Sequence, residues 1–304
     1  MIAFYADHFV LPLPEGHRFP MAKYARLHER VAAQAEALGI ALVEPQPASR
    51  GAIERAHCPD YIERVFAGTL DAGEVRRIGF PWSPQMVERS RRSAGGTLAA
   101  LEAALSGDGV AVNLAGGTHH AARARGGGYC VLNDTVIAAR HAQALGLAAR
   151  VLVVDLDVHQ GDGTASIVRD DPSIFAFSVH AATNYPATKE TGDLDVALPD
   201  GCDDARYLDA LAAHLPRAIE RAAPDAVVYV AGADPYAGDR LGRLALTKAG
   251  LAQRDRMVFD ACRRHDLPLA VSMAGGYAED VDDIVDIHFA TVAAAAAHFR
   301  AVRA

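Results

Sequence analysis

The sequence is short of cysteine, tryptophan and long apolar runs, and it carries no surplus of positive charge. Its four cysteines (Cys58, Cys130, Cys202 and Cys262) are scattered through 304 residues without a C-x-x-C pair. No disulfide framework is expected, and the default location is a reducing compartment, the cytoplasm. No stretch of 18 residues is apolar and free of charge, so no membrane span is expected. The opening MIAFYADHFVLPLPEGH has no basic start and soon meets Asp7, Pro12 and Pro14, unlike a signal peptide. Thirty Lys and Arg against 38 Asp and Glu leave a net charge of −8, with no excess to neutralise phosphates; nucleic acid is not an expected partner. There is no G-x-S-x-G elbow and no phosphate-binding loop ending in Gly-Lys-Ser/Thr. Repeats, low-complexity tracts and Ser/Gly linkers are also missing. The longest loop-like run, Gly39 to Gly51, is too short to divide the chain, so residues 1–304 read as a single domain.

What is present is an ordinary globular balance of 51% hydrophobic and 22% charged residues. A chain of this length can bury about 75% of its unfolded surface without disulfides. Near-continuous apolar runs at Ile2–Tyr5, Val110–Leu114, Val151–Val154, Ile174–Val179, Ala226–Ala231 and Leu269–Met273 read as strands covered on both faces. Helices are expected over Met21–Leu38, Pro84–Leu105, Asp134–Leu145, Ala205–Ala222, Thr247–His265 and Asp280–Arg300. Thr247 suits an N-cap and Pro84 a first helical turn. The alternation predicts an α/β fold, a parallel sheet with helices on both faces. Such sheets place their sites in loops beyond the carboxyl ends of the strands. Those loops are where the unusual residues fall: AGGTHHAARARGGGYC, DLDVHQGDG, His180, GADPYAGDR and AGGY.

Asp155, Asp157 and His159 stand at alternate positions just past a strand. In extended backbone they share one side, where carboxylate and imidazole can hold a divalent ion. Asp234, in an equivalent position after another strand, is the best remote partner. Mixed His and carboxylate ligands with an open position belong to catalytic rather than structural metal sites. A lone Asp after a strand often just caps the next helix; the cluster is what carries the reading. His119–His120 sits in a Gly-rich loop, where two imidazoles can serve as base and electrostatic partner if carboxylates such as Asp155 and Asp162 orient them. Tyr277 follows Gly275-Gly276, and its phenol can donate to an oxyanion. Cys130 reads as a small buried residue lining the site.

Taken in order, His57-x-x-x-Tyr61-Ile62, Arg91-Arg92-Ser93-x-Gly95-Gly96-Thr97, Gly116-Gly117-x-His119-His120, Gly128-Tyr129-Cys130-x-x-Asn133-Asp134, Asp155-x-Asp157-x-His159-x-Gly161-Asp162-Gly163, Ala231-Gly232-Ala233-Asp234 and Gly275-Gly276-Tyr277 resemble the zinc-dependent histone deacetylase superfamily, in its bacterial class-IV-like or acetoin-utilisation-like branch. The resemblance covers nearly the whole chain. It implies the arginase–deacetylase fold, three layers around a mostly parallel eight-stranded sheet, two strands more than the apolar runs account for. It implies one zinc per chain on Asp157, His159 and Asp234, with His119 and His120 as tandem histidines backed by Asp155 and Asp162. In that arrangement His120 is the general base and later proton donor, and Tyr277 polarises the amide carbonyl. Gly128 and Tyr129 would line a narrow acyl tunnel, with Tyr185 on the opposite wall. It also implies a structural potassium on Asp155, the hydroxyl of Ser178 and the main chains of Asp157, His159 and Val179.

The implied activity is hydrolysis of an acyl-amine, with acetyl-lysine the foremost substrate and small acetylated amines such as polyamines the alternative. Tyr129 stands where the family's best-known members have Phe, and the segments VLPLPEGHRFP and FPWSPQ, around Trp82, are expected to shape a different entrance. A two-metal ureohydrolase would call for more Asp and His around the metal than this chain offers. A non-catalytic acyl-ligand sensor would not need the intact His119, His120 and Tyr277. Natural substrate, acyl length and oligomeric state are left open by the sequence.

Overall fold

A computed structural model describes residues 1–300 of the chain. Its strands are β1 (Ile2–Phe4), β2 (Ala41–Val43), β3 (Val110–Asn113), β4 (Val151–Asp155), β5 (Ile174–Ala181), β6 (Leu194–Leu198), β7 (Ala226–Val230) and β8 (Leu269–Ser272). They form one sheet in the order β2-β1-β3-β8-β7-β4-β5-β6. Every pairing is parallel, so the expected eight-stranded, mostly parallel sheet is present and is in fact parallel throughout. The helices are α1 (Ala22–Leu38), α2 (Arg50–Glu54), α3 (Pro59–Ala67), α4 (Ala72–Ile78), α5 (Pro84–Ser106), α6 (Asp134–Ala144), α7 (Asp162–Val168), α8 (Asp204–Ala222), α9 (Lys248–Arg264) and α10 (Val281–Arg300).

The central strands β3, β4, β7 and β8 are buried at every position, which is why they stand out as unbroken apolar runs. Their alternate side chains feed two separate cores. Strand β4 illustrates this: Leu152 and Val154 face one core with Tyr229 and Phe259, while Val151 and Val153 face the other with Val228 and Ile137. Alternation of this kind is the direct consequence of the two-residue strand period. The two strands that apolar runs did not reveal are both edges. β2 has three at least partly exposed residues inside the stretch that reads as a loop, and β6 alternates exposed and covered positions, LDVAL, with Asp195 outward. Edge strands of this sort carry little hydrophobic signal.

Helix ends follow local chemistry. Ser83 caps α5 by accepting from the Met86 amide, with Pro84 in the first turn, and Thr247 caps α9 by accepting from the Gly250 amide. Asn133 caps α6 through Val136, which anchors the chain immediately after the Gly-rich histidine loop. Among the described residues no helix is long and apolar enough to cross a membrane.

His57, with no exposed surface, joins that anchor. Its Nδ1–H donates to the Ala122 carbonyl at 3.0 Å and its Nε2 accepts from the Asn133 amide at 2.8 Å. Both ring nitrogens are satisfied only when the imidazole is neutral; a second N–H would confront the Asn133 N–H. Burial pushes its pKa down from 6.5 to about 4. Because the folded value lies below the unfolded one, the group's stability contribution is complete above pH 6.5 and is lost as pH falls toward 4. The expected loss is about 3 kcal/mol over that interval. In urea titrations at a series of pH values, His57→Gln is expected to be less stable at pH 7 but to lose less stability than wild type between pH 6.5 and 4; parallel curves would refute the assignment.

Candidate active site

The sheet order reverses direction around β8, β7 and β4, and the loops leaving their carboxyl ends meet there. Asp157 and His159 follow β4, Asp234 follows β7, and the Gly275-Gly276-Tyr277 turn follows β8. One potential ligand atom from each of Asp157, His159 and Asp234 lies within 4.8 Å of the other two, and all three residues are buried. His159 Nδ1 is 3.0 Å from Asp157 Oδ1 and 3.3 Å from Asp234 Oδ2. Asp157 Oδ2 accepts from the Gly275 amide at 2.9 Å, and Asp234 Oδ1 from the Val158 amide at 3.0 Å. Asp234 Oδ2 is buried without a hydrogen-bond partner.

This donor set fits a divalent cation. Two carboxylates taken out of water around one imidazole are costly without a positive charge to answer them. Burial and the charge of Asp157 push the Asp234 carboxyl up to about 7, the expected response of an anion pair in search of a cation. Glycine keeps the space clear on two sides. A Cβ at Gly275 would fall 1.9 Å from Asp234 Oδ2, and one at Gly232 would fall 2.6 Å from Asp157 Oδ2. Two carboxylate oxygens and one imidazole nitrogen are ligands that zinc accepts, with a coordination position left over.

Asp155 does not join the three. Strand β4 ends at Asp155 and the next residues leave extended geometry, so the expectation that Asp155, Asp157 and His159 share one side is corrected. Instead Asp155 Oδ2 accepts from His119 Nδ1 at 2.6 Å, and Asp162 Oδ1 accepts from His120 Nδ1 at 2.6 Å. The two imidazoles lie 4.2 Å apart, centroid to centroid. Burial opposes charge on His119, but the neighbouring Asp155 and Asp157 charges outweigh it and hold the group at about 9. Burial and the His119 charge together push His120 down to about 4, despite Asp162.

The histidine loop is held from below. Asp134 accepts from the Gly117 and Thr118 amides at 2.9 and 2.7 Å and from the Thr97 hydroxyl at 2.5 Å. Gly116 and Gly117 take positive φ, and a Cβ on Gly116 would meet Asp134 Oδ2 at 2.5 Å. The motif residues Thr97 and Asp134 are thus the mooring of His119 and His120.

A cavity of about 320 Å³ opens onto these groups, lined among others by His119, His120, Asp157, His159, Tyr129 and Tyr277. Tyr129 follows Gly128 in a turn where both have positive φ. Its ring packs 5.2 Å from Phe19 and from Phe80 and 5.9 Å from Tyr277. Tyr185 also lines the cavity, 44% exposed, with its ring 4.8 Å from His120. The sequence points to the entrance segments but not to the residues that matter in them. Phe19 and Phe80 form the wall, whereas Trp82 turns away, donating to the Val65 carbonyl at 2.8 Å and packing on Gly68. Ser178 pairs in register with Asp155 on the neighbouring strand, and its hydroxyl contacts His180 Nδ1 at 2.9 Å.

Three further groups hold Tyr277, one of them Arg240, whose Nε donates to the Tyr277 carbonyl at 2.8 Å. Asp239 Oδ2 accepts from the Tyr277 amide at 2.6 Å. Lys23, only 2% exposed, donates from Nζ to the Ala274 and Gly276 carbonyls at 3.2 and 3.3 Å and stands 5.3 Å from the centre of the Tyr277 ring. Sequence reasoning missed Lys23, although a signal was there: Lys23, Leu27 and Val31 repeat at four-residue spacing on the buried face of α1, an odd place for a lone charge.

The sheet, the crevice at the loop crossing and the paired His–Asp contacts define a hydrolase site on a parallel α/β scaffold. Comparison with known proteins gives the family: the histone deacetylase domain model matches residues 17–292, and the chain belongs to that family. Membership makes it a hydrolase acting on acetylated amides. It is 46% identical over 284 residues to an uncharacterised protein of Picosynechococcus sp., covering 93% of this chain and 94% of that one. It is 30% identical over 271 residues to histone deacetylase 2 of Arabidopsis thaliana, covering 86% of this chain and 70% of the other. The crystal structure of acetylpolyamine aminohydrolase from Burkholderia pseudomallei superimposes with a TM-score of 0.78 at 23% identity, covering 97% of this chain and 98% of that one; this likeness shows the arginase–deacetylase fold.

Replacing Lys23 by Met keeps the stem and removes both carbonyl contacts to the Tyr277 turn. We expect a fall in kcat of about 10–100-fold, the scale of a misplaced group at the site, with the metal content of the protein unchanged. A normal kcat would show that the turn holds itself.

Proposed function

We propose that the chain is a zinc-dependent amidohydrolase that removes an acetyl or other acyl group from an acylated amine, foremost the side chain of acetyl-lysine. The observation that carries this is the convergence of Asp157, His159 and Asp234 beside a cavity lined by Asp157, His159, His119, His120 and Tyr277. The whole chain acts as one catalytic domain in this reading, which the single sheet supports, since its strands come from both halves of the sequence.

Bound zinc on Asp157, His159 and Asp234 would supply Lewis acidity toward the amide carbonyl and lower the pKa of a water. The protein does the rest. The tunnel walls Gly128, Tyr129, Phe19 and Phe80 admit an extended acyl chain and exclude bulk water. His120, whose Nδ1–H is committed to Asp162, presents Nε2 to take a proton from the attacking water and return it to the departing amine. His119 is oriented beside the centre by its bond to Asp155. Tyr277 donates its phenolic hydrogen to the carbonyl oxygen as negative charge gathers there. The potassium reading, on Asp155, Ser178 and the main chains of Asp157, His159 and Val179, is supported by the register that sets Asp155 beside Ser178. The scattered cysteines support a cytoplasmic location.

A second substrate reading is a small acetylated amine such as a polyamine, favoured by the fold likeness to an acetylpolyamine aminohydrolase over nearly the whole of both chains. Acetylated lysine peptides and acetylpolyamines, assayed side by side with zinc-loaded protein, separate the two; inertness toward every acylated amine would instead favour a ligand sensor.

Tyr277→Phe is expected to lower kcat by about 10²–10³-fold, the usual cost of one oxyanion donor, while retaining zinc. Near-normal turnover would remove Tyr277 from the mechanism. Chelation should abolish activity and zinc should restore it in the wild type but not in Asp234→Asn; activity indifferent to chelator would overturn the metal reading.

A further inference from the structure

Helix α9 buries a stripe at Leu251, Arg254, Asp255, Val258, Phe259 and Cys262. Two of these positions are charged, and neither side chain reaches solvent: Arg254 is 0% and Asp255 1% exposed. Burying an ion pair costs more than an apolar pair of the same size would, so its placement in a core stripe calls for a reason.

The contacts supply one. Arg254 Nη1 donates to the carbonyl of Leu156 at 3.2 Å and to that of Gly232 at 2.6 Å. Leu156 lies next to Asp157 after β4, and Gly232 is two residues before Asp234 after β7. A single guanidinium therefore bridges the two loops that carry the carboxylates of the candidate metal site. Asp255 Oδ1 holds the guanidinium from behind, accepting from Nε at 2.9 Å with Nη2 at 2.8 Å. Asp255 is itself fixed by the hydroxyls of Tyr229 on β7 and Thr291 on α10, both at 2.5 Å. The planar guanidinium can meet two carbonyls and a carboxylate at once; an ammonium has no such fixed fork.

We propose that Arg254, braced by Asp255, is a positioning residue that sets the separation of Asp157 and Asp234 and thereby the affinity for the metal. This rests on the reading of Asp157, His159 and Asp234 as a zinc site. Arg254 touches neither substrate nor reacting atoms; it acts through the main chain of the two ligand loops. Groups that orient metal ligands from outside typically account for about 10–100-fold in affinity.

The test is zinc chloride titration of metal-free protein in competition with a chromophoric chelator, with the thermal midpoint of the same metal-free samples measured alongside. Arg254→Met/Asp255→Asn removes both buried charges together and leaves an amide oxygen to accept from Tyr229 or Thr291, so no unpaired ion remains in the core. We expect about a 10–100-fold weaker zinc affinity with a thermal midpoint close to wild type, and an altered visible spectrum when cobalt is loaded instead. Zinc affinity and cobalt spectrum equal to wild type would overturn the proposal. If the double variant does not fold, Arg254→Lys decides: weaker zinc binding supports the brace, and unchanged binding overturns it. A wild-type protein that binds no zinc would overturn the metal-site reading itself, and this inference with it, an outcome distinct from a metal-binding wild type with an indifferent variant.

Discussion

Two buried carboxylates that must stand side by side are the constraint around which this molecule is arranged. Asp157 and Asp234 are almost wholly removed from water, and like charges in a low-dielectric interior repel strongly. The surrounding chain answers that repulsion from several directions. The Gly275 and Val158 amides each donate to one carboxylate oxygen, and His159 lies against both. What these leave uncompensated, including the unpartnered Oδ2 of Asp234, is the opening for a divalent cation.

That constraint explains features that otherwise look unrelated. Gly232 and Gly275 are glycines because any side chain there would strike a carboxylate. The ion pair of Arg254 and Asp255 occupies a core stripe because loop carbonyls beneath the site need a donor. Lys23 is driven into the interior because the turn carrying Tyr277 exposes two inward carbonyls. The parallel sheet contributes by geometry alone: with all strands pointing the same way, the loops after β3, β4, β7 and β8 emerge together. Rigid buried strands thus deliver irregular loops to one place.

The pair of histidines shows how similar residues acquire different surroundings. Each imidazole is tied to its own aspartate at the same distance. Both line the cavity, but His119 also lies beside Asp157, Nε2 to Oδ1 3.8 Å, whereas His120 packs against Tyr185. Position relative to the acidic centre, rather than the immediate partner, shifts the two imidazoles in opposite directions.

Much of this is legible in the residues themselves. Six strands are readable because burial on both faces leaves continuous apolar runs, and the loop chemistry is readable because His, Asp and Gly cluster after those runs. The edge strands β2 and β6 are not, since a strand half in water has no such run, and the short helices α2, α3, α4 and α7 are too brief for a periodic pattern. Local spacing also misplaces Asp155, because strand geometry stops at that residue. By itself, then, the sequence determined the layered parallel fold and the identity of the donors, for these depend on local pattern and residue chemistry. Only the tertiary structure decided that Phe19 and Phe80 rather than Trp82 wall the cavity, and that Lys23 and Arg254 hold the loops, because such contacts join segments up to 253 residues apart and are set by how packed elements meet.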